Sequence, residues 1–196
     1  MKSVFINSSF NFINTHKELN DYSKIKIKYG LEVMYNFITK TSVVLLLAIL
    51  FHALVEVFLI FLFYGLLRTF IHGVHGTSNT LCWIITLTSY VLSVFIIRTF
   101  VISNLVKIAI CSISLVSIIL WAPSDTKYRP LLNKRKRIYF KIISTLLAST
   151  YLLIILFTNY KYNNCLLISL SLACLAINPI TYWLFGLKRN NYKSYK

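Results

Sequence analysis

Five apolar stretches, at roughly 41–67, 81–97, 99–122, 138–159 and 164–187, take up most of this chain and leave only short polar connections between them. A membrane span needs about 20 consecutive apolar residues. The last three stretches meet that length outright, 81–97 is short but continuous, and 41–67 is too long for one simple span and carries His52 and Glu56 inside it. Charged residues make up only 13% of the chain, about half the share of an ordinary soluble domain and too few to cover a water-facing surface. In hydrocarbon every backbone polar group must be satisfied internally, which a helix does within one segment. The pattern therefore predicts an all-α polytopic membrane protein. It has either about six membrane helices, or four full spans plus a re-entrant or broken hairpin over 29–67. In the six-helix form Leu31–Phe51 crosses first and Ala53–Leu67 makes a short second crossing.

The charges that remain are lopsided, with 21 Lys+Arg against 5 Asp+Glu and a net charge of +16. Such a balance in a soluble chain suggests nucleic acid, but here the basic residues flank apolar runs as juxtamembrane charges do, so no nucleic-acid partner is expected. Lys127, Arg129 and Lys134–Arg137 crowd one connection, Lys188, Arg189, Lys193 and Lys196 the C-terminus, and Lys2, Lys17, Lys24, Lys26, Lys28 and Lys40 the N-terminal arm. Excess Lys and Arg mark cytoplasmic segments, which puts all three on that side; two spans over 81–122 bring the connection 68–80 there too, and the N-terminal arm agrees when 29–67 crosses an even number of times. The opening MKSVFINSSFNFINTHKELN lacks the apolar core and cleavage site of a signal peptide, so the first apolar run is expected to stay as an anchor. Residues 23–40 mix Lys with large apolar side chains, as an amphipathic helix lying on anionic lipid would. The expected organisation is one membrane domain, with residues 1–40 as an amphipathic cytoplasmic arm, 41–187 as membrane helices and 188–196 as a basic cytoplasmic tail.

Arg68 to Cys82, RTFIHGVHGTSNTLC, is polar between two apolar runs and holds two of the four histidines. Cys111, Cys165 and Cys174 lie inside apolar runs, where cysteine behaves as a small hydrophobe, while Cys82 starts a run beside this polar segment. A thiol nucleophile needs a neighbouring base, and His is the usual one. His75 and Cys82 are seven apart. On one straight helix they would share a face but sit about 10.5 Å apart along the axis, so a reacting pair requires a bend, which Gly73, Gly76 and the Thr77–Thr80 run can supply. On spacing alone a polar interfacial loop remains an equal alternative.

Three motifs in this order resemble the accessory gene regulator B (AgrB) family: KYGLE at 28–32, Arg68 with Gly73, His75 and Cys82, and WAPSDTKYRPL at 121–131. The resemblance spans about residues 20–187. Two positions depart from the family pattern, since His72 stands where the family has the first Gly of a pair and Val74 where it has an aromatic residue. The resemblance implies a membrane cysteine endopeptidase of the bacterial plasma membrane, without a cofactor or metal, that processes a small AgrD-type precursor peptide in quorum sensing. Cys82 would be the nucleophile, forming a thioester that an internal Cys or Ser of the peptide displaces to close a thiolactone or lactone, and His75 the base. Glu32 is a candidate to orient His75 or hold the oxyanion, or else a helix-surface acid paired with Lys28. Arg68 is a candidate to bind an acidic substrate tail or the oxyanion, or else an interfacial anchor. Gly73 keeps backbone freedom beside the base. Asp125 is expected to cap a turn after Pro123. Anionic lipid is an expected partner, and a second copy of the chain is held open as another.

Two other classes compete. His72, His75 and Cys82 could form part of a metal site, though no fourth ligand is evident, and the intramembrane ionisable residues His52, Glu56, Arg98 and Lys107 suit a small transporter or channel, though no internal repeat supports one. The charge asymmetry yields a direct test. A cysteine introduced within 133–137 is expected to react with an impermeant thiol reagent in inverted vesicles and not in intact cells; labelling from outside intact cells overturns the orientation.

Overall fold

The structure is a computed structural model that describes residues 2–16, 20–74, 78–126, 131–158, 161–189 and 191–192. It divides into two compact units, Met1–His52 and Ala53–Lys196. Among the described residues all regular structure is helical, and five helices are long and apolar enough to cross a membrane, with one shorter apolar helix besides. The chain is an all-helical polytopic membrane protein, as the apolar runs predict.

The first unit is a helical hairpin of α1 (Lys2–His16) and α2 (Asp21–Leu50). Asn20 starts α2 by accepting the Ser23 N–H at 2.9 Å. The hairpin closes through Phe5 on Tyr35, with ring centroids 5.4 Å apart, Lys28 over the Phe10 ring at 4.6 Å, and an ion pair from Lys2 to Glu32. At 30 residues, or about 45 Å, α2 runs through residue 40 without a break. It ends at Leu50 with Phe51 as its C-cap, and His52 turns the chain with a φ of 51°.

The second unit holds α3 (Leu54–Ile71), α4 (Asn79–Thr99), α5 (Asn104–Trp121), α6 (Lys134–Phe157), α7 (Asn163–Ile177) and α8 (Pro179–Leu184). Helix α7 is its centre, packed by α3, α5 and α6, with α4 against α7 and α3. It is apolar all round and mostly buried, as a helix enclosed by others must be. Leu67, Ile71, Ile118, Ala148, Leu166 and Leu170 form the heart of the core. Small residues let the helices approach closely: Ser144, Ala148, Ala173 and Ser169 are completely buried. Buried hydroxyls bond their own helices, Ser117 to the Ile113 carbonyl at 2.7 Å and Ser169 to that of Cys165 at 2.8 Å, which satisfies them without a partner from another helix. The outward faces carry Leu105, Ile113, Leu146, Leu153 and Phe157, all exposed, as lipid-facing residues are.

One expectation needs correction. The stretch 164–187 reads as a single outright span, but it is broken into α7 and α8. Proline has no N–H, and it drives the preceding residue out of helical geometry; Asn178, before Pro179, is extended at φ −62° and ψ 134°, and its side chain caps the Ile180 N–H at 2.9 Å. The remaining α7 has 15 residues, about 22 Å, shorter than a bilayer core of about 30 Å.

The ends of α3, α5 and α7 and the starts of α4 and α6 gather at one end of the second unit. There Asp125, 3% exposed, does not cap its own turn. Its carboxylate accepts the backbone N–H groups of Asn191 and Tyr192, both at 2.9 Å, and its carbonyl accepts the Tyr182 hydroxyl at 3.0 Å. The carboxylate thus ties the C-terminal tail to the segment after α5. Replacing Asp125 with Ala leaves two N–H groups unpaired, at a cost of about 1–3 kcal/mol. Limited proteolysis after Lys188 and Arg189 is expected to be faster in Asp125→Ala than in the wild type, and equal rates would contradict the tie.

Candidate active site

The break between α3 and α4 is where the polar Arg68–Cys82 segment turns. Helix α3 stops at Ile71 because His72 adopts φ 57° and ψ −123°, a conformation that favours glycine. Glycine stands here in the resembling motif, so His72 carries strain that the usual residue avoids. Its ring is held flat against Phe140 of α6, centroids 5.3 Å apart. Gly73 follows at φ 98°. A Cβ at Gly73 would collide with the Ala176 carbonyl and the Arg68 guanidinium, so glycine is required twice over, by conformation and by space.

The backbone of 71–74 is hydrogen-bonded to three other segments. Ser124 donates its N–H to Ile71 at 2.9 Å, Gly73 donates to Ser124 at 2.8 Å, and Val74 donates to Ala176 at 2.9 Å. The Ala176 carbonyl lies in the last turn of α7, among the four carbonyls that a helix end leaves without an internal partner. Arg68 donates from Nη1 to the His72 carbonyl and from Nη2 to the Val74 carbonyl. Its guanidinium is therefore turned onto the chain that leads towards His75. His75, Gly76 and Thr77 lie outside the described residues.

Helix α4 begins afresh at Asn79. Ser78 is extended and caps it by accepting the Leu81 N–H at 3.1 Å. No single helix can therefore join 75 to 82, which is the geometric condition the spacing of His75 and Cys82 imposes. Cys82 sits in the first turn of α4, its N–H on the Ser78 carbonyl at 3.0 Å. It is half-buried, whereas Cys111, Cys165 and Cys174 are buried. Glu32 belongs to the helical hairpin, where its partner is Lys2, not Lys28. Among the described residues, no three His, Cys, Asp or Glu side chains come together as metal ligands.

Comparison with known proteins decides the family. The family model described as accessory gene regulator B matches residues 6–177. This chain belongs to the accessory gene regulator B family. A putative AgrB-like protein of Listeria innocua is 30% identical over 175 residues, covering 88% of this chain and 85% of that protein. The accessory gene regulator protein B of Staphylococcus epidermidis is 32% identical over 174 residues, covering 87% of this chain and 88% of that protein. No solved structure matches. Membership gives the chain a general role in accessory gene regulation, that is, in quorum sensing.

Sequence reasoning singled out Arg68 and Gly73 but not the partners that make them necessary, Ser124, Phe140 and Ala176. Ser124 lay inside a quoted motif; nothing in the local sequence marks Ala176 beyond the Asn178-Pro179 pair that ends its helix. The local geometry predicts opposite effects at adjacent positions. Gly73→Ala is expected to destabilise the folded protein by about 1–3 kcal/mol, whereas His72→Gly relieves strain and leaves stability equal or higher. Thermal unfolding in detergent checks both, and a neutral Gly73→Ala would contradict the close approach to Ala176.

Proposed function

We propose that this chain is a membrane cysteine endopeptidase that cleaves an AgrD-type precursor and cyclises the product, with Cys82 as nucleophile and His75 as base. The observation that carries the reading is the placement of Cys82. It is the one cysteine among the described residues that is not buried, and it opens a helix directly after the chain break that a Cys–His pair needs. The first turn of a helix is the positive end of its dipole, a favourable setting for the negative charge that develops on the attacking sulfur and on the carbonyl oxygen.

In the first half-reaction, His75 takes the Cys82 proton as the sulfur attacks the scissile carbonyl carbon. The C–N bond breaks, His75 returns the proton to the leaving amine, and a thioester links Cys82 to the precursor. In the second half, a Cys or Ser side chain within the peptide attacks that thioester. Its proton passes to the Cys82 thiol, and a thiolactone or lactone ring is released. Thioester exchange keeps the acyl group activated, where hydrolysis would discard that energy.

Two neighbours support the pair. Arg68 holds the His72 and Val74 carbonyls and Gly73 permits the close turn between them, so both act as positioning residues in this scheme. Lys134–Arg137 form the first turn of α6, where cations oppose the helix dipole. Their value therefore lies elsewhere than in helix stability. In this scheme they set the cytoplasmic side and gather an acidic segment of the precursor on the side where it is made.

Co-expression with an AgrD-type precursor, followed by mass spectrometry of the peptide, tests the proposal. Cys82→Ala and Cys82→Ser are expected to abolish cleavage, and His75→Ala to slow it by about 10²–10⁴-fold. Ala at Cys111, Cys165 or Cys174 is expected to leave cleavage intact. Continued cleavage by Cys82→Ala would overturn the assignment.

A further inference from the structure

A second polar site lies at the opposite end of the bundle from Cys82. There the start of α5, the end of α6 and the start of α7 line an open cavity of about 500 Å³. Asn104, Lys107, Thr158, Lys161, Asn163 and Asn164 supply its polar lining, which among the described residues includes two lysines and no acid. The nearby acid of this end, Glu56, is engaged by Arg98 at 3.0 Å and does not line the cavity. Two helix N-termini also open on it. Asn104 begins α5 behind its Ser103 cap, and Asn163 and Asn164 begin α7, whose N-cap residue, Tyr162, makes no side-chain capping bond. Lysines, amide groups and helix N-termini together form a donor set for an oxyanion.

Asn163 has a different task from its neighbours. Its amide donates to the Thr158 carbonyl at 2.6 Å and it accepts the Thr158 hydroxyl at 3.4 Å, which closes the α6–α7 turn and makes one wall of the cavity. The other walls pass into apolar surface, since Ile108, Leu156 and Phe157 line the cavity and are exposed. A ligand with an anionic head and apolar chains fits such a border between charge and hydrocarbon.

We propose that this cavity binds a phosphate group, and that the phosphate is carried by an anionic phospholipid whose acyl chains lie along α5 and α6. Lys107 and Lys161 pair with the phosphate from two sides, and the helix N-termini add their dipoles. The site lies in the leaflet opposite Cys82 and does not depend on the peptidase reading.

Full-length protein in phosphatidylcholine nanodiscs doped with phosphatidylglycerol, analysed by native mass spectrometry, provides the test. Retained phosphatidylglycerol is expected, with apparent affinity about tenfold or more weaker in the Lys107→Gln/Lys161→Gln double variant and kept in Lys107→Arg/Lys161→Arg. Dioleoylglycerol, which has no phosphate, is expected not to be retained by the wild type; equal retention of it overturns the proposal without any substitution. Undiminished phosphatidylglycerol in a Gln variant of unchanged circular dichroism overturns it too. Displacement of the lipid by inorganic phosphate, with no preference for phosphatidylglycerol over phosphatidylcholine, would assign the site to a soluble anion and overturn the lipid source.

Discussion

Val74 gives its N–H to the Ala176 carbonyl, and much of the end of the bundle that carries Cys82 depends on that bond. A chain that leaves a helix within a membrane protein exposes donors and acceptors that hydrocarbon cannot satisfy. A helix that stops short, as α7 does before Pro179, exposes carbonyls in the same way. Each defect here satisfies the other. The strand-like contact of His72 with Ser124 and the two Arg68 bonds complete the set. The loop that enters the Arg68–Cys82 break is consequently held by three other parts of the chain, α3 itself, the segment after α5 and the end of α7.

The same logic explains the residues at this end. Gly73 is there because Ala176 and Arg68 occupy the space a side chain would need. Asp125, a carboxylate in a buried position, is tolerable because it receives two backbone N–H groups. Arg137, at the start of α6, lies 3.6 Å over the Tyr192 ring, so the C-terminal tail is pinned from a second direction. These contacts are local, but together they connect α5, α6 and the tail around one end of the bundle.

Much of this was legible in the sequence. Apolar run lengths gave the helices but left 29–67 open between two crossings and a re-entrant hairpin; the chain divides there at His52, which turns through a left-handed conformation. The polar segment 68–82 marked the break between α3 and α4, and the three motifs gave the family. Other features were not legible because they depend on partners distant in sequence. Whether 164–187 crosses as one span turns on Pro179, a stop signal that run length overrides when residues are merely counted as apolar. Asp125 looked like a turn cap because its partners, 66 and 67 residues further on, leave no local trace. Glu32 looked like a partner for Lys28 because that pair is one helical turn apart, whereas Lys2 reaches it only once α1 folds back.

The shortness of α7 has a consequence for how bilayer thickness acts on this protein. The helices that pack round it have 18 to 24 residues, about 27–36 Å, and present the lipid-facing perimeter. They meet hydrophobic mismatch by tilting. Helix α7 is mostly buried and has less reason to follow. A change of acyl-chain length is therefore transmitted inward as relative sliding between perimeter and centre. At the end that carries Cys82, the hydrogen bond from Val74 to Ala176 ties the chain leaving α3 to that centre, so bilayer thickness bears on the backbone just before His75.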